Sequence, residues 1–164
     1  MITSFPSNLS NSYLGGALKF FFLPVQDILF EPEIFNGKLI GQYTTQPEKN
    51  ILTGLFDFEN AKLDFTDASG TKGMLTKNVF SAFIAGNNKE YDQLFCEMRT
   101  NRFIVFIADV EKNLRVIGRK DNGAIFDFSF STNKKRTDAP GFDFKFTHES
   151  SCCPPISDQE LNIC

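Results

Sequence analysis

Two stretches of this chain alternate phenylalanine with polar residues. They are Ile125-Phe126-Asp127-Phe128-Ser129-Phe130-Ser131 and Phe142-Asp143-Phe144-Lys145-Phe146-Thr147-His148. A period of two puts every Phe of a stretch on one face and the polar residues on the other, the pattern of a β-strand with one side on a core and one in water. Phe56-Asp57-Phe58-Glu59 and Leu63-Asp64-Phe65-Thr66 repeat it in shorter form. With 20 Phe and no Trp, the core is built largely from one residue type. Phe126, Phe128, Phe130, Phe142, Phe144 and Phe146 are expected to face it.

The 164 residues suffice for one well-buried core and are too few for two comfortable domains. Met1–Gly16 is polar and reads as a flexible arm, without the basic start and apolar stretch of a signal peptide. Residues 17–148 read as a single β-sandwich domain, and 149–164 as a C-terminal tail with little periodicity. No apolar run approaches the ~20 residues of a membrane span. A net charge of −3 argues against nucleic-acid binding driven by overall positive charge.

Strand composition recurs at 18–25, 38–44, 55–59, 62–66 and 75–84. Asp67-Ala68-Ser69-Gly70-Thr71-Lys72-Gly73 reads as a turn cluster. One helix stands out at about 88–99. Asn87 is placed to cap it with Glu90 three residues on. Tyr91, Leu94, Phe95 and Met98 share one helical face, and Asn101 is placed to stop it. The stretch 102–109 is apolar on both faces, which marks a central strand. With 114–119 and 124–131 it is expected to form an antiparallel meander. The result is a mainly β fold: an antiparallel β-sandwich or barrel of about nine strands with one amphipathic helix.

Chemistry is sparse. His148 is the only histidine, so any Ser or Cys nucleophile would depend on it. It shares the inward parity of Phe146 at a strand margin and reads as structural. Asp57, Asp127 and Asp143 fall opposite Phe at strand spacing, so a solvated sheet face explains them better than a glycosidase pair. Gly70-Thr71-Lys72-Gly73 lacks the spacing of a phosphate loop. Of the cysteines, Cys96, Cys152, Cys153 and Cys164, three lie near the end of the chain. That suits free thiols rather than a disulfide scaffold. Neither C-x-x-C nor a histidine pair is present to hold zinc; Cys152, Cys153 and His148 would be the first ligands to test. No catalytic residue, cofactor or metal is therefore expected. Lys134-Lys135-Arg136 is a short basic run, either a solvated loop tip or a contact with acidic surface or phosphates.

The order in the second half is strand, helix 89–98, central strand, then Leu114-Arg115-Val116-Ile117-Gly118, a turn, the strand 124–131 and Gly141-Phe142-Asp143-Phe144-Lys145-Phe146. Over about 74–148 this resembles ring-forming tail and neck proteins of tailed bacteriophages, of tail-tube, tail-terminator or head–tail connector type. It is similar to ring proteins of crAss-like phages. The resemblance implies a structural virion protein, made in the host cytoplasm and located in the tail or neck. It would be a cyclic homo-oligomer, hexameric or dodecameric, stacked on adjacent virion rings. DNA would pass through its channel without specific binding, and no membrane would be involved. Met1–Gly16, the 45–73 region and Thr132–Pro140 are the segments expected to meet neighbours, with Lys134, Lys135 and Arg136 as candidate assembly or DNA-channel contacts. Two other classes stay open: a soluble bacterial β-sandwich module that binds a protein or ligand, and a β-rich enzyme.

Overall fold

The computed structural model describes residues 17–46, 52–57, 61–70, 73–86, 89–108, 113–132 and 140–157. Its strands in chain order are β1 (Ala17–Pro24), β2 (Ile28–Phe30), β3 (Glu33–Phe35), β4 (Lys38–Ile40), β5 (Thr44–Thr45), β6 (Leu52–Asp57), β7 (Ala61–Gly70) and β8 (Gly73–Ala85). After α1 (Lys89–Met98) come β9 (Arg102–Ala108), β10 (Leu114–Ile117), β11 (Ala124–Ser131), β12 (Gly141–Ser150) and β13 (Ile156–Ser157). The fold is mainly β with one helix, and its large sheet curls into a half-barrel. The nine strands expected from the sequence are all there. The additional ones, β2, β3, β5 and β13, have two or three residues each, too few for an alternation to register.

β9 organises the sheet. One edge pairs with β1 from Phe103 to Ala108, and β1 pairs beyond with β6. The other edge is shared end to end. β10 pairs with residues 105–108 of β9, and β11 with residues 102–103. The expected meander is therefore corrected: β9 borders both β10 and β11, which follow each other along one side of it. From this fork the sheet runs one way through β11, β12, β8 and β7, all antiparallel, and the other way through β10, β13, β4 and β3. β2 and β5 form a separate two-stranded ribbon.

Gly118 sits at the fork with φ of +88°. A Cβ there would lie 2.3 Å from the Phe103 carbonyl oxygen and 3.0 Å from the Ala124 nitrogen. Only glycine fits a left-handed backbone pressed this closely against a neighbouring strand. The chain then turns, with paired backbone hydrogen bonds between Arg119 and Asn122 (2.9 and 3.2 Å), before entering β11.

Both faces of β9 are buried, as its sequence implies. Phe103, Val105 and Ile107 enter the larger core, and Ile104 and Phe106 the smaller. β1 divides in the same way, with Phe20 and Phe22 in the first core and Phe21 and Leu23 in the second. The larger core fills the trough of the half-barrel. Phe20 of β1 reaches across to Phe80 of β8 (ring centroids 5.1 Å), and Phe22 meets Phe146 (5.7 Å).

α1 closes this trough with the face foreseen for it: Tyr91, Phe95 and Met98 are buried and Leu94 is partly buried. Phe95 lies 5.3–5.7 Å from the rings of Phe126, Phe128, Phe142 and Phe144. Asn101 ends the helix through its side chain, which donates to the Glu97 carbonyl at 3.1 Å. The capping residue expected at Asn87 lies outside the described residues.

Of the six alternating Phe side chains, Phe126, Phe142, Phe144 and Phe146 are buried and Phe128 is partly buried against them. Phe130 departs from the expectation. It is 37% exposed beyond the end of the trough, stacked only on the rim against Phe142 at 4.8 Å. The long turn expected at 67–73 is also shorter than its composition suggests. Asp67–Gly70 continue β7 and Gly73 already begins β8, with Gly70 paired to Gly73. Glu149 and Ser150 extend β12, and Pro154 and Pro155 are buried, so the 149–157 part of the tail belongs to the fold.

Phe146→Ala should cost about 3–5 kcal/mol in a denaturant titration, the usual range for emptying a buried aromatic site, whereas Phe130→Ala should cost well under about 1 kcal/mol. Gly118→Ala should destabilise by more than about 1 kcal/mol because it combines a forbidden φ with a backbone collision. Equal losses at Phe146 and Phe130 would contradict this packing.

Candidate functional site

The inward face of the half-barrel changes character along its length. On β12 the inward residues run Phe142, Phe144, Phe146 and then His148 and Ser150. On β8 they run Ile84, Ala82, Phe80 and then Asn78 and Thr76. Cross-strand register aligns the change across β12, β8 and β7: Phe146, Phe80 and Leu63 share one rung, His148, Asn78 and Phe65 the next inward one, and Ser150, Thr76 and Asp67 the one after. The period of two continues, so these polar side chains still point inward. Thr76, Asn78 and His148 are the buried polar residues among those described, and all three lie on this strip.

The second layer covers the strip. Val116, Gly118 and Arg119 come from β10 and its turn. Glu31, Ile34, Leu39 and Tyr43 come from the short-strand region, and Cys152, Pro154 and Pro155 from the segment after β12. Together with Asn78, His148 and Ser150 they enclose a cavity of about 20 Å³, room for one water-sized molecule. Several bonds set its walls. Thr76 Oγ1 donates to Asp67 at 2.6 Å, Asn78 Nδ2 to Ser150 Oγ at 3.5 Å, and Asn122 Nδ2 to the Glu149 carbonyl at 2.8 Å. Arg119 Nε faces Glu31 at 3.6 Å and Asp121 at 3.9 Å. The Lys120 amide donates to Glu31 at 3.2 Å and its ammonium to the Leu29 carbonyl at 3.0 Å. Arg115 lies over the Phe65 ring at 5.6 Å.

Four buried polar atoms here have no hydrogen-bond partner: Asn78 Oδ1, Arg119 Nε and both ring nitrogens of His148. Buried polar groups are nearly always paired, so these atoms, of which Arg119 Nε still faces Glu31, are the positions where a small polar partner would fit. Burial, and secondarily the Arg119 cation, hold the His148 pKa below its ordinary value. The Asn122 backbone and the Asp121 and Glu149 carboxylates pull less strongly the other way. Burial and the Glu31 carboxylate push the Tyr43 phenol far above its usual value, with Arg119 opposing. Its ring stands edge-on to Phe106 at 5.0 Å.

The other residues singled out in the sequence are scattered. Lys134, Lys135, Arg136 and Cys164 lie outside the described residues. Cys152 lines the cavity but is largely exposed, as are Cys96 and Cys153, and all three are free thiols. Among the described residues no group of three His, Cys, Asp or Glu side chains is placed to hold a metal. Asp127 and Asp143 line a shallow polar trough on the outer face with Ser81, Ser129 and Lys145, and Asp127 faces Lys145 at 3.8 Å. The side chain of Asp57 lies outside the description.

Sequence reasoning reached His148 and its inward parity but missed the company it keeps. The available signal was polar residues taking over the inward positions together, at 76 and 78 on one strand and 148 and 150 on the other. Glu31, Tyr43 and Arg119 carry no periodic signal at all.

These features define a class, a curled antiparallel half-barrel with one helix in its trough and a polar end to its interior. Compared with known protein families, curated proteins and solved structures, the chain matches none.

The raised Tyr43 pKa has a definite sign. The unfolded phenol loses its proton from about pH 10 while the folded one keeps it, so stability falls as pH rises above about 10. Tyr43→Phe should therefore lose less thermal stability than the wild type between pH 9.5 and 11. Parallel losses in calorimetry would show that Tyr43 ionises normally in the fold.

Proposed function

We propose that the chain is a structural virion protein that assembles into a cyclic ring in the tail or neck of a tailed bacteriophage, around the DNA-conducting channel. The observation that carries this reading is the apolar surface of residues 29–40, where Leu29, Phe30, Phe35 and Ile40 are each more than half exposed. In the β3–β4 pair, Phe35 stands opposite Lys38 and Ile40 opposite Glu33, giving a mixed apolar and charged outer face. Large apolar side chains concentrated in one exposed stretch are what a subunit contact needs and a solitary domain avoids. The sheet also ends in strands bordered on one side only among the described residues, β3 and β7 on the main path and β6 beyond β1. Neighbouring subunits in a closed heterologous ring cover such edges. A net charge of −3 suits a channel wall along which DNA slides. In this reading Lys134, Lys135 and Arg136 meet acidic surface of an adjacent ring or the channel itself.

A second reading, a ligand- or protein-binding β module, draws on the polar cavity and its unpartnered atoms. Oligomeric state separates the two. Sedimentation or native mass measurement should find the wild-type chain in a closed oligomer, alone or with its neighbouring virion proteins. The double variant Phe35→Glu, Ile40→Glu should stay folded by circular dichroism and fail to assemble. A wild-type chain that remains monomeric and enters no virion would remove the ring reading.

A further inference from the structure

We propose that the cavity between the polar strip and the covering layer is a pH-sensitive latch: with His148 neutral the layer of β3, β4 and β13 stays docked on the half-barrel, and protonation of His148 releases it. This inference is independent of the ring reading.

The hydrogen-bond inventory of the cavity carries the argument. Neutral histidine offers one donor and one acceptor. Asn78 Oδ1 is a further acceptor without a partner, while Arg119 Nε–H is directed towards Glu31 at 3.6 Å. The space of about 20 Å³ holds one water-sized molecule, which can serve only one of the two ring nitrogens because they point in diverging directions. A proton on His148 turns its acceptor nitrogen into a second buried donor and places a second cation beside Arg119. Histidine is 6% and Asn78 0% exposed, so bulk water does not relieve the imbalance.

The surrounding charges do not supply a counter-ion. Glu31, from the covering layer, is engaged by Arg119 and the Lys120 amide. Tyr43, from the same layer, stays protonated. Asp121 lies in the turn after β10, largely in water, and faces Arg119. Glu149 neighbours His148 on β12 with its side chain on the opposite, exposed face. Asp67 on β7 is bonded to Thr76 one rung away, Arg115 of β10 lies over Phe65, and Cys152 is a free thiol.

Among the described residues the covering layer meets the half-barrel's strands through the Val116 amide to the Pro155 carbonyl (3.1 Å) and two β10–β13 pairs, with Leu39 and Ile34 packed on the smaller core. Within the layer the Ile156 amide donates to the Gly37 carbonyl (2.9 Å), which joins β13 to the β3–β4 turn. Short elements with few bonds open at lower cost than the whole domain. Opening lets His148 titrate near its ordinary value of about 6.5, so acidification through that value favours the open form, by at most about tenfold per pH unit.

Amide hydrogen exchange on the whole chain tests this. Corrected for intrinsic rates, protection of the Val116 and Ile156 amides should fall by up to about tenfold between pH 7.5 and 5.5, while amides of β9 stay protected. His148→Asn, which keeps a polar side chain without a titrating ring, should abolish the fall. If that variant does not fold, the wild type still decides the matter, because its single histidine gives one imidazole signal. That signal should titrate below about 6.5, in step with the loss of protection. Protection independent of pH, an equal fall in His148→Asn, or a histidine titrating at or above its ordinary value would overturn the latch.

Discussion

Everything in this fold hangs on β9 being buried on both faces while bordered along both edges. A strand in that position must be apolar at every residue, and Phe103-Ile104-Val105-Phe106-Ile107 is. Because alternate residues serve different cores, neither core can shift its register without moving the other. β1 doubles the constraint, since Phe20 and Phe22 belong to one core and Phe21 and Leu23 to the other. The fork at Gly118 is the geometric consequence. Two strands share one edge of β9 only if the chain between them leaves and returns within a few residues, pressed against β9. A residue with a Cβ collides with that neighbour.

Phenylalanine suits the larger core for a related reason. A curled sheet encloses a deep trough, and a flat ring on a short stem reaches its centre from several strands at once. Phe95 of α1, in contact with four Phe rings of β11 and β12, fills the end where strands alone would leave a void. Edge and tilted ring contacts dominate, as the quadrupole of the ring prefers. Such a core tolerates little loss of volume, because aromatic neighbours cannot spread to fill a gap.

Much of this was legible in the chain. The Phe alternation of β11 and β12, the two-faced β9 and the buried stripe of α1 are strong local periodicities, and each survives in the fold because tertiary packing uses the same face that the pattern advertises. The order of strands was not legible. β10 follows β9 through a short connection and looks like the second rung of a meander, but nothing local says that β11 returns to β9. Phe130 misled for a comparable reason: alternation specifies a face, not where along the strand the core stops. β2, β3, β5 and β13 are too short to show a period, and the proline pair after β12 hid a segment that docks. The polar cavity was half legible, since His148 kept its inward parity while its partners from residues 31, 43 and 119 arrive only through the fold.

That inward parity explains why the polar end of the trough exists at all. On a strand the only way to end a core without turning the chain is to change what the inward positions carry. β12 and β8 do so on the same rung, exchanging Phe146 and Phe80 for His148 and Asn78. Apolar residues there would continue the trough beneath the covering layer. Polar residues instead end the larger core there, at the cost of buried groups whose pairing is incomplete. The half-barrel, tied together by its ring contacts, and the layer that covers its polar end thus lie on one continuous sheet, and the boundary between them runs beside the only histidine.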